Sequence, residues 1–525
     1  MNNKNYFGNA GENGMKKRIE ALMFSLCAGL AMISQYIREP NYDSDFLWSI
    51  AIGKWIDLHH SFPVVDSFSW TINGKEWMTH EWAYSYLSYQ MNHAFSSLGI
   101  YILSLIPMVL TIYFLYLIAT QYDENKSYAY ILVFTLGIVL LYLLALPFRA
   151  YIYALLFFTI LLYLLYFKDE RNFDFVLYAL LFALWANFQV SVFIGLVVLV
   201  AEMIRQFVLY PLKRFRVLAI TALCFISTLV NPYGYKLWTY FVFVISTMDV
   251  TKASISEWQA ANFHVTWVLF TYLGTAASVL FLHYNRVSNK ADDRAKECAG
   301  ELKKLPAKAG KIKTSEQYNN FIQWLKTFLT RETCLIIGFW FFYIYALYSV
   351  RMFVFSLILW IVVVCYFVGK IRRLNFGVKT YYILLLLFVV MTFANLGSAD
   401  FSVKDIFSYK KNVTPIEEVA FLKDNPSYSQ RIFNEYIFGG YLILNDIPVF
   451  IDARADSYIK FGIMQKYMDI TGLKQDPQPL LDELGVENLL ITEGVLKKYI
   501  DINPQWRMVF SGPTAFIYSR ASVNQ

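Results

Sequence analysis

Long apolar runs separated by short polar segments fill the first 398 residues. Eleven of these runs approach the roughly 20 residues a helix needs to cross hydrocarbon. They lie near 19–37, 97–118, 127–146, 149–167, 173–188, 190–209, 216–231, 264–284, 334–350, 353–370 and 379–397. The pattern changes over 399–525. Short β-like runs at 431–434, 448–451, 488–491, 508–511 and 515–518 alternate there with helix-like stretches, predicting a small α/β domain. Thr414-Pro415-Ile416-Glu417 has the form of a capping box with proline at the first helical position. The expected fold is an α-helical polytopic membrane protein, residues 1–398, followed by an extracytoplasmic α/β domain, residues 399–525.

Composition agrees. Of 525 residues, 57% are hydrophobic and only 16% charged, more apolar surface than a soluble globule can bury. The net charge of +7 does not argue for a nucleic-acid partner, because Lys and Arg cluster in loops between apolar runs. With the N-terminus cytoplasmic and the runs alternating, the segments 121–126, 168–172, 205–216, 285–333 and 370–379 fall inside. They hold nearly every basic cluster, including Lys213-Arg214-Phe215-Arg216 and Lys370-Ile371-Arg372-Arg373. The loops 38–95 and 231–263 are then outside, and so is the tail. Lys16-Lys17-Arg18 before the first run resembles a secretion signal. No small-residue cleavage pattern follows, so the run reads as a retained anchor in a multi-pass protein of the cell membrane. The five cysteines form no disulfide framework or paired metal motif. The stretch 285–313 is polar, rich in Lys and Ala, and reads as a flexible loop.

The candidate chemistry lies on the outer side. Asp43 and Asp45 follow the first run, and carboxylates at the edge of hydrocarbon are costly to keep idle. Residues 46–58, with Trp48 and Trp55, look like a helix lying on the membrane surface with its indole N–H groups wet. An ordered turn joins it to a second surface helix near His80-Glu81-Trp82. Arg149, Asn187, Gln189, Glu257 and Arg351 sit at the outer ends of other runs. An arginine there needs an anionic partner or a wet cavity. In the tail, Asp452, Arg454 and Asp456 follow a predicted strand, where α/β domains often bind ligands. Gly439-Gly440 signals a tight turn or a close backbone approach. Each group also has a structural reading. Asp43 and Asp45 can cap a helix, Glu81 can cap or pair with a nearby cation, His80 can be a structural hydrogen-bonding group, the arginines can be salt-bridged, and Asp452-x-Arg454 can staple a loop. Taken together, acids that can deprotonate a hydroxyl or bind Mg or Mn, and arginines that can hold a phosphate, suit a polyprenyl-phosphate sugar.

Asp43-Ser44-Asp45-Phe46-Leu47-Trp48, Gly53-Lys54-Trp55-Ile56, Pro63-Val64-Val65-Asp66-Ser67-Phe68-Ser69-Trp70 and His80-Glu81-Trp82 resemble bacterial multispan proteins related to the GT-C glycosyltransferase superfamily. Protein O-mannosyltransferases, aminoarabinose transferases and oligosaccharyltransferase catalytic subunits belong to it. Leu184-Trp185-Ala186-Asn187-Phe188-Gln189, Asn231-Pro232-Tyr233-Gly234, Glu257-Trp258 and Phe450-Ile451-Asp452-Ala453-Arg454 look like further markers. The resemblance implies transfer of a sugar from a polyprenyl-phosphate donor to a glycan, lipid or protein acceptor. It implies an acidic first-loop residue, Asp45 or Asp43, as base or metal ligand. His80, Glu81, Arg149, Asn187, Gln189, Glu257, Arg351, Asp452 and Arg454 are the expected substrate-binding set. The adjacent Asp-Glu pair of the O-mannosyltransferases is absent, and Gln189 stands where a histidine is expected. A transporter or flippase for lipid-linked glycan, or a non-catalytic assembly factor for envelope polysaccharide, would share this membrane layout.

Overall fold

The computed structural model describes residues 4–38, 44–122, 128, 130–144, 148–168, 174–255, 258–301, 323, 325–326, 329–369, 377–399 and 414–521. The helices up to residue 397 are α1 (Lys4–Arg38), α2 (Ser44–His59), α3 (Trp82–Thr120), α4 (Tyr130–Leu144), α5 (Tyr151–Tyr166), α6 (Asp174–Phe188), α7 (Val192–Leu209) and α8 (Arg214–Ser227). They continue with α9 (Lys236–Ser246), α10 (Met248–Ser254), α11 (Thr266–Glu301), α12 (Arg331–Tyr348), α13 (Phe353–Gly369) and α14 (Val378–Gly397). Each of the eleven predicted runs lies on one of them. Six stretches among the described residues are long and apolar enough to cross a bilayer, from Gly14–Arg38 to Val378–Gly397. The chain is a multi-pass membrane protein.

Position in the bundle follows from side-chain chemistry. All 17 residues of α13 are buried, and its sequence has no polar face to expose. On α14, Tyr382, Ile383, Leu386, Leu387 and Val390 face outward, as suits a helix whose solvent on one side is lipid. The helices α5 and α6 have only 16 and 15 residues. At about 1.5 Å per residue they span roughly 24 Å, short of the ~30 Å hydrocarbon layer. The turns at their ends therefore sit within the membrane's edge. Non-helical backbone is tolerated there only against protein or a wet cavity.

The first loop differs from expectation. α2 is a helix as predicted, but Phe46, Leu47, Trp48, Ile50, Ile52 and Ile56 are buried, so it is packed inside protein rather than laid on lipid. Trp48 Nε1 is not wet: it is buried and meets no hydrogen-bond partner. Gly53 permits the packing, since a Cβ there would lie 2.1 Å from the Ser85 carbonyl of α3. Residues 60–81 form a bridged loop in which Val65 pairs with Glu76. The second surface helix begins only at Trp82 and ends at a break at Ser96 (φ 50°), just before the predicted run 97–118. The stretch 285–313 also differs. Residues 285–301 continue α11 as helix, because Lys, Ala and Glu are good helix formers, and 302–313 lie outside the described residues.

The tail carries a four-stranded sheet of order β1-β2-β4-β3, with β1 (Ile432–Asn434), β2 (Asn488–Ile491), β3 (Trp506–Ser511) and β4 (Phe516–Arg520). β1 runs parallel to β2, and the other pairings are antiparallel. The predicted run 448–451 is not a strand of this sheet; Val449 bridges Ser69 of the first loop instead. The capping box does not form. Pro415 occupies the cap position without a side-chain hydrogen bond, and the neighbouring Glu418 accepts from the Thr514 and Ala515 amides at 2.8 Å each.

Candidate functional site

Tail and first loop share apolar cores. Ile72 packs among Phe433, Phe450 and Tyr458, and Trp48, Ile52, Ile56 and Trp77 pack with Val419, Leu442 and Ile517. Polar contacts reinforce the joint. The Trp70 amide donates to the Val449 carbonyl at 3.0 Å, Trp70 Nε1 donates to the Ile432 carbonyl at 3.0 Å, and Thr71 Oγ1 donates to the Phe450 carbonyl at 2.6 Å. Lys54 Nζ reaches Asp446 at 2.9 Å. At its centre lies Arg454, fully enclosed. Its guanidinium bonds both oxygens of Asp452, at 2.6–3.1 Å, and Oδ2 of Asp66 at 2.5 Å. It also stacks on Phe68 and Trp77, with centroids at 5.1 and 4.7 Å. Asp66 Oδ1 in turn accepts from the Phe68 and Ser69 amides and from Ser69 Oγ. Burial opposes a charged guanidinium, yet Asp452, Tyr458 and Asp66 outweigh it and hold Arg454 well above its ordinary pKa. Gly439 lets this region close: a Cβ there would lie 2.4 Å from the Ile451 carbonyl.

Beneath this joint lies a cavity of about 660 Å³. Six of the predicted binding residues line it: His80, Glu81, Arg149, Gln189, Arg351 and Arg454. Each arrives on a separate break in helical structure. The bridged loop delivers Trp77, Thr79, His80 and Glu81 to the start of α3. The turn 148–150 carries Arg149, the turn between α6 and α7 carries Gln189, and a 3₁₀ turn, Val350–Met352, carries Arg351. Arg351 is held flat between Tyr151 and Trp258, at 5.0 and 5.2 Å from their centroids. Among the described residues no ion pair holds it, and Glu257, next to Trp258, lies outside them. Gln189 Oε1 accepts from the Ser191 amide at 2.5 Å, which fixes its turn. Val197 of α7, Ile245 of α9 and Phe341 of α12 line the cavity and are 51–54% exposed, so these three helices give it an apolar wall.

His80 Nε2 lies 3.4 Å from Glu81 Oε1, and its ring stacks on Tyr240 of α9 with centroids 4.7 Å apart. Burial disfavours the imidazolium, but the hydrogen bond and charge of Glu81, with Asp456, more than compensate, and the His80 pKa stands above its ordinary value. Glu81 occupies the cap position of α3 without a side-chain capping bond, so the capping role does not hold. Asp456 also lines the cavity. Burial pushes its carboxyl above the usual range, partly offset by His80, by a hydrogen bond with Tyr240 and by Arg454.

Two predicted residues are not brought to the cavity. Asp452 is buried on the far side of Arg454 and satisfied by it and by Tyr458 at 2.8 Å, because a buried carboxylate is stable only when paired. Asn187 accepts from Trp82 Nε1 at 2.7 Å and donates to the Ala183 and Val230 carbonyls, pinning α6 to the start of α3. Arg454 borders the cavity, but its donors are spent on carboxylates. Asp43 and Glu257 lie outside the described residues, as does the side chain of Asp45. The backbone of Asp45 is in α2, one turn before the cavity-lining Trp48 and Ser49. Among the described residues no group of three or more His, Cys, Asp or Glu is placed to hold a metal ion.

No family model and no curated protein matches the chain. Among solved structures it is similar to an oligosaccharyltransferase of Archaeoglobus fulgidus in the apo form, at 11% identity and a TM-score of 0.47, over 96% of this chain and 75% of that one. It is also similar to the archaeal oligosaccharyltransferase AglB of the same organism in complex with an inhibitory peptide and a dolichol-phosphate, at 10% identity and 0.45, over 96% and 74%. A similarity this distant carries no weight for the fold or activity of this chain.

Tyr240 and Trp258 are among the cavity residues that the sequence did not single out as binding groups. Tyr240 lies in an apolar stretch of the second outer loop, and nothing local marks it. Asp66 was visible only as part of a motif. Its partner Arg454 is 388 residues away, too far for any spacing rule.

Proposed function

We propose that this chain is a membrane glycosyltransferase that takes a sugar from a polyprenyl-phosphate donor and passes it to a hydroxyl on a glycan, lipid or protein acceptor outside the cytoplasm. In this reading the N-terminus is cytoplasmic and the tail extracytoplasmic. One observation carries it: a single cavity brings Arg149, Arg351 and His80 together with apolar side chains of three helices. A lipid phosphate needs both features, an apolar entrance for the prenyl chain and fixed cations for the headgroup.

Arg351 and Arg149 are the groups for the donor phosphate, joined by His80 when protonated. The acceptor oxygen attacks the anomeric carbon, the bond from that carbon to the phosphate oxygen breaks, and polyprenyl phosphate leaves with the electron pair. The hydroxyl proton goes to a carboxylate, for which Asp45 is the candidate by its place on α2. The arginines stabilise the charge that builds on the leaving phosphate, where preorganised donors act most strongly. The segment Asp43-Ser44-Asp45 is where Mg or Mn would be held; no step above depends on it.

The test is transfer from a polyprenyl-phosphate sugar by purified protein in nanodiscs. Asp45→Asn is expected to slow transfer about 10²- to 10⁴-fold with folding intact. Full activity would remove Asp45 from the mechanism. Translocation of the lipid-linked sugar across vesicles without any transfer product would favour a flippase instead.

A further inference from the structure

The carboxylate of Asp456 is the acidic group of the cavity that the tail domain contributes and the reaction above does not use. The staple aims it. Arg454 and Tyr458 are four residues apart, and both are committed to Asp452, with the Tyr458 hydroxyl donating to Oδ2 at 2.8 Å. Residues at i and i+4 share a helix face, and the residue midway between them points away from it. Asp456 stands between them, in the first turn of Ala455–Lys460, and with its neighbours locked against Asp452 it lines the cavity. There it meets two other outer segments. Tyr240 of α9 is within hydrogen-bonding reach, and the Tyr240 ring stacks on His80 of the first loop. Three segments far apart in sequence thus meet at one half-buried carboxylate.

We propose that Asp456 is the acceptor-binding group of this cavity: its carboxylate takes a hydrogen bond from an acceptor O–H that does not transfer its proton, and so holds the attacking oxygen toward the anomeric carbon. Charge assigns it to that substrate. A carboxylate repels the phosphate of the donor, whereas a neutral hydroxyl gains a charge-assisted hydrogen bond. Tyr240 and His80 fix the carboxylate, and Arg149 and Arg351 serve the other substrate. The tail is then part of the reaction chamber. This inference rests on the reading of the cavity as a glycosyl-transfer site.

The test compares Asp456→Asn with Arg351→Ala in full-length protein in nanodiscs. Polyprenyl phosphate is the binding probe. Consumption of polyprenyl-phosphate glucose is the rate, with water or an alkyl glucoside as acceptor. Asp456→Asn should slow consumption at saturating donor about tenfold or more, while polyprenyl phosphate binds as tightly as before or tighter. Arg351→Ala should weaken the probe. An unchanged thermal midpoint for Asp456→Asn shows that the staple survives. Should Asp456→Asn weaken polyprenyl phosphate as Arg351→Ala does, or leave the rate unchanged, the acceptor role is wrong. If the wild type neither binds the probe nor consumes the donor, the glycosyltransferase reading itself fails, and this inference with it.

Discussion

Arg454 and Arg351 border the same cavity in opposite states. Arg454 is enclosed, doubly bonded to Asp452, bonded to Asp66 and stacked on two rings. Arg351 is half-buried and stacked on two rings, with no ion pair among the described residues. The first has its charge cancelled by the chain and serves as a joint. The second lines the cavity and is stacked on its aromatic wall. Aromatic stacking alone does not distinguish a structural arginine from a ligand-binding one; the number of carboxylates around it does. Removing one member of a buried, paired cluster leaves uncompensated charge, whereas removing a stacked cation beside a cavity leaves almost none.

Arg454→Met tests this contrast hardest. It strands Asp66 and Asp452 in a dry interior, and the expected cost is about 3–5 kcal/mol. Thermal unfolding should show the loss, and limited proteolysis should release a tail that no longer docks. A variant as stable as the wild type would mean that the joint is held by the apolar cores alone. Arg351→Ala is expected to cost about 1 kcal/mol of stability or less. Its affinity for polyprenyl phosphate should fall about 10- to 100-fold, the worth of a charged hydrogen bond. Equal losses of stability in the two variants would erase the distinction.

Smaller effects sharpen it. The folded-state pKa of His80 is raised. The stability it contributes is therefore complete below its ordinary value of about 6.5 and is lost as pH rises through the folded value. Polyprenyl phosphate binding should weaken over the same interval as the imidazolium discharges. A His80→Gln titration by thermal shift should lack that limb; a wild type flat across it would place His80 outside the cavity's electrostatics. The least effect belongs to the exposed triad of Glu76 with Lys236 and Lys460, at 3.0 and 3.5 Å, which ties both outer loops to the tail. Solvent screens such pairs, and Glu76→Gln should leave the unfolding midpoint at physiological salt unchanged.

Local physics made most of the fold legible. Apolar runs announce helices because every backbone polar group in lipid must be satisfied within its own segment, and short β-like runs announced β1, β2, β3 and β4. The run 448–451 misled because an extended segment can pair with any edge, and the one it bridges belongs to the first loop. α2 misled because a helix with two tryptophans looks the same whether it meets lipid or another domain. Of the site, the residue types were legible and the partnerships were not.

The sequence by itself determined that this chain crosses a membrane many times, carries a small α/β tail and concentrates acids, arginines and aromatics near the ends of its helices. Those are properties of composition and short-range periodicity. Tertiary structure alone decided that Arg454 is spent on two carboxylates while Arg351 lines the cavity, that Asp452 faces away while Asp456 faces in, and that loop and tail motifs form one joint. Such outcomes depend on which carboxylate lies within about 3 Å of which cation, and the chain settles that between residues hundreds of positions apart.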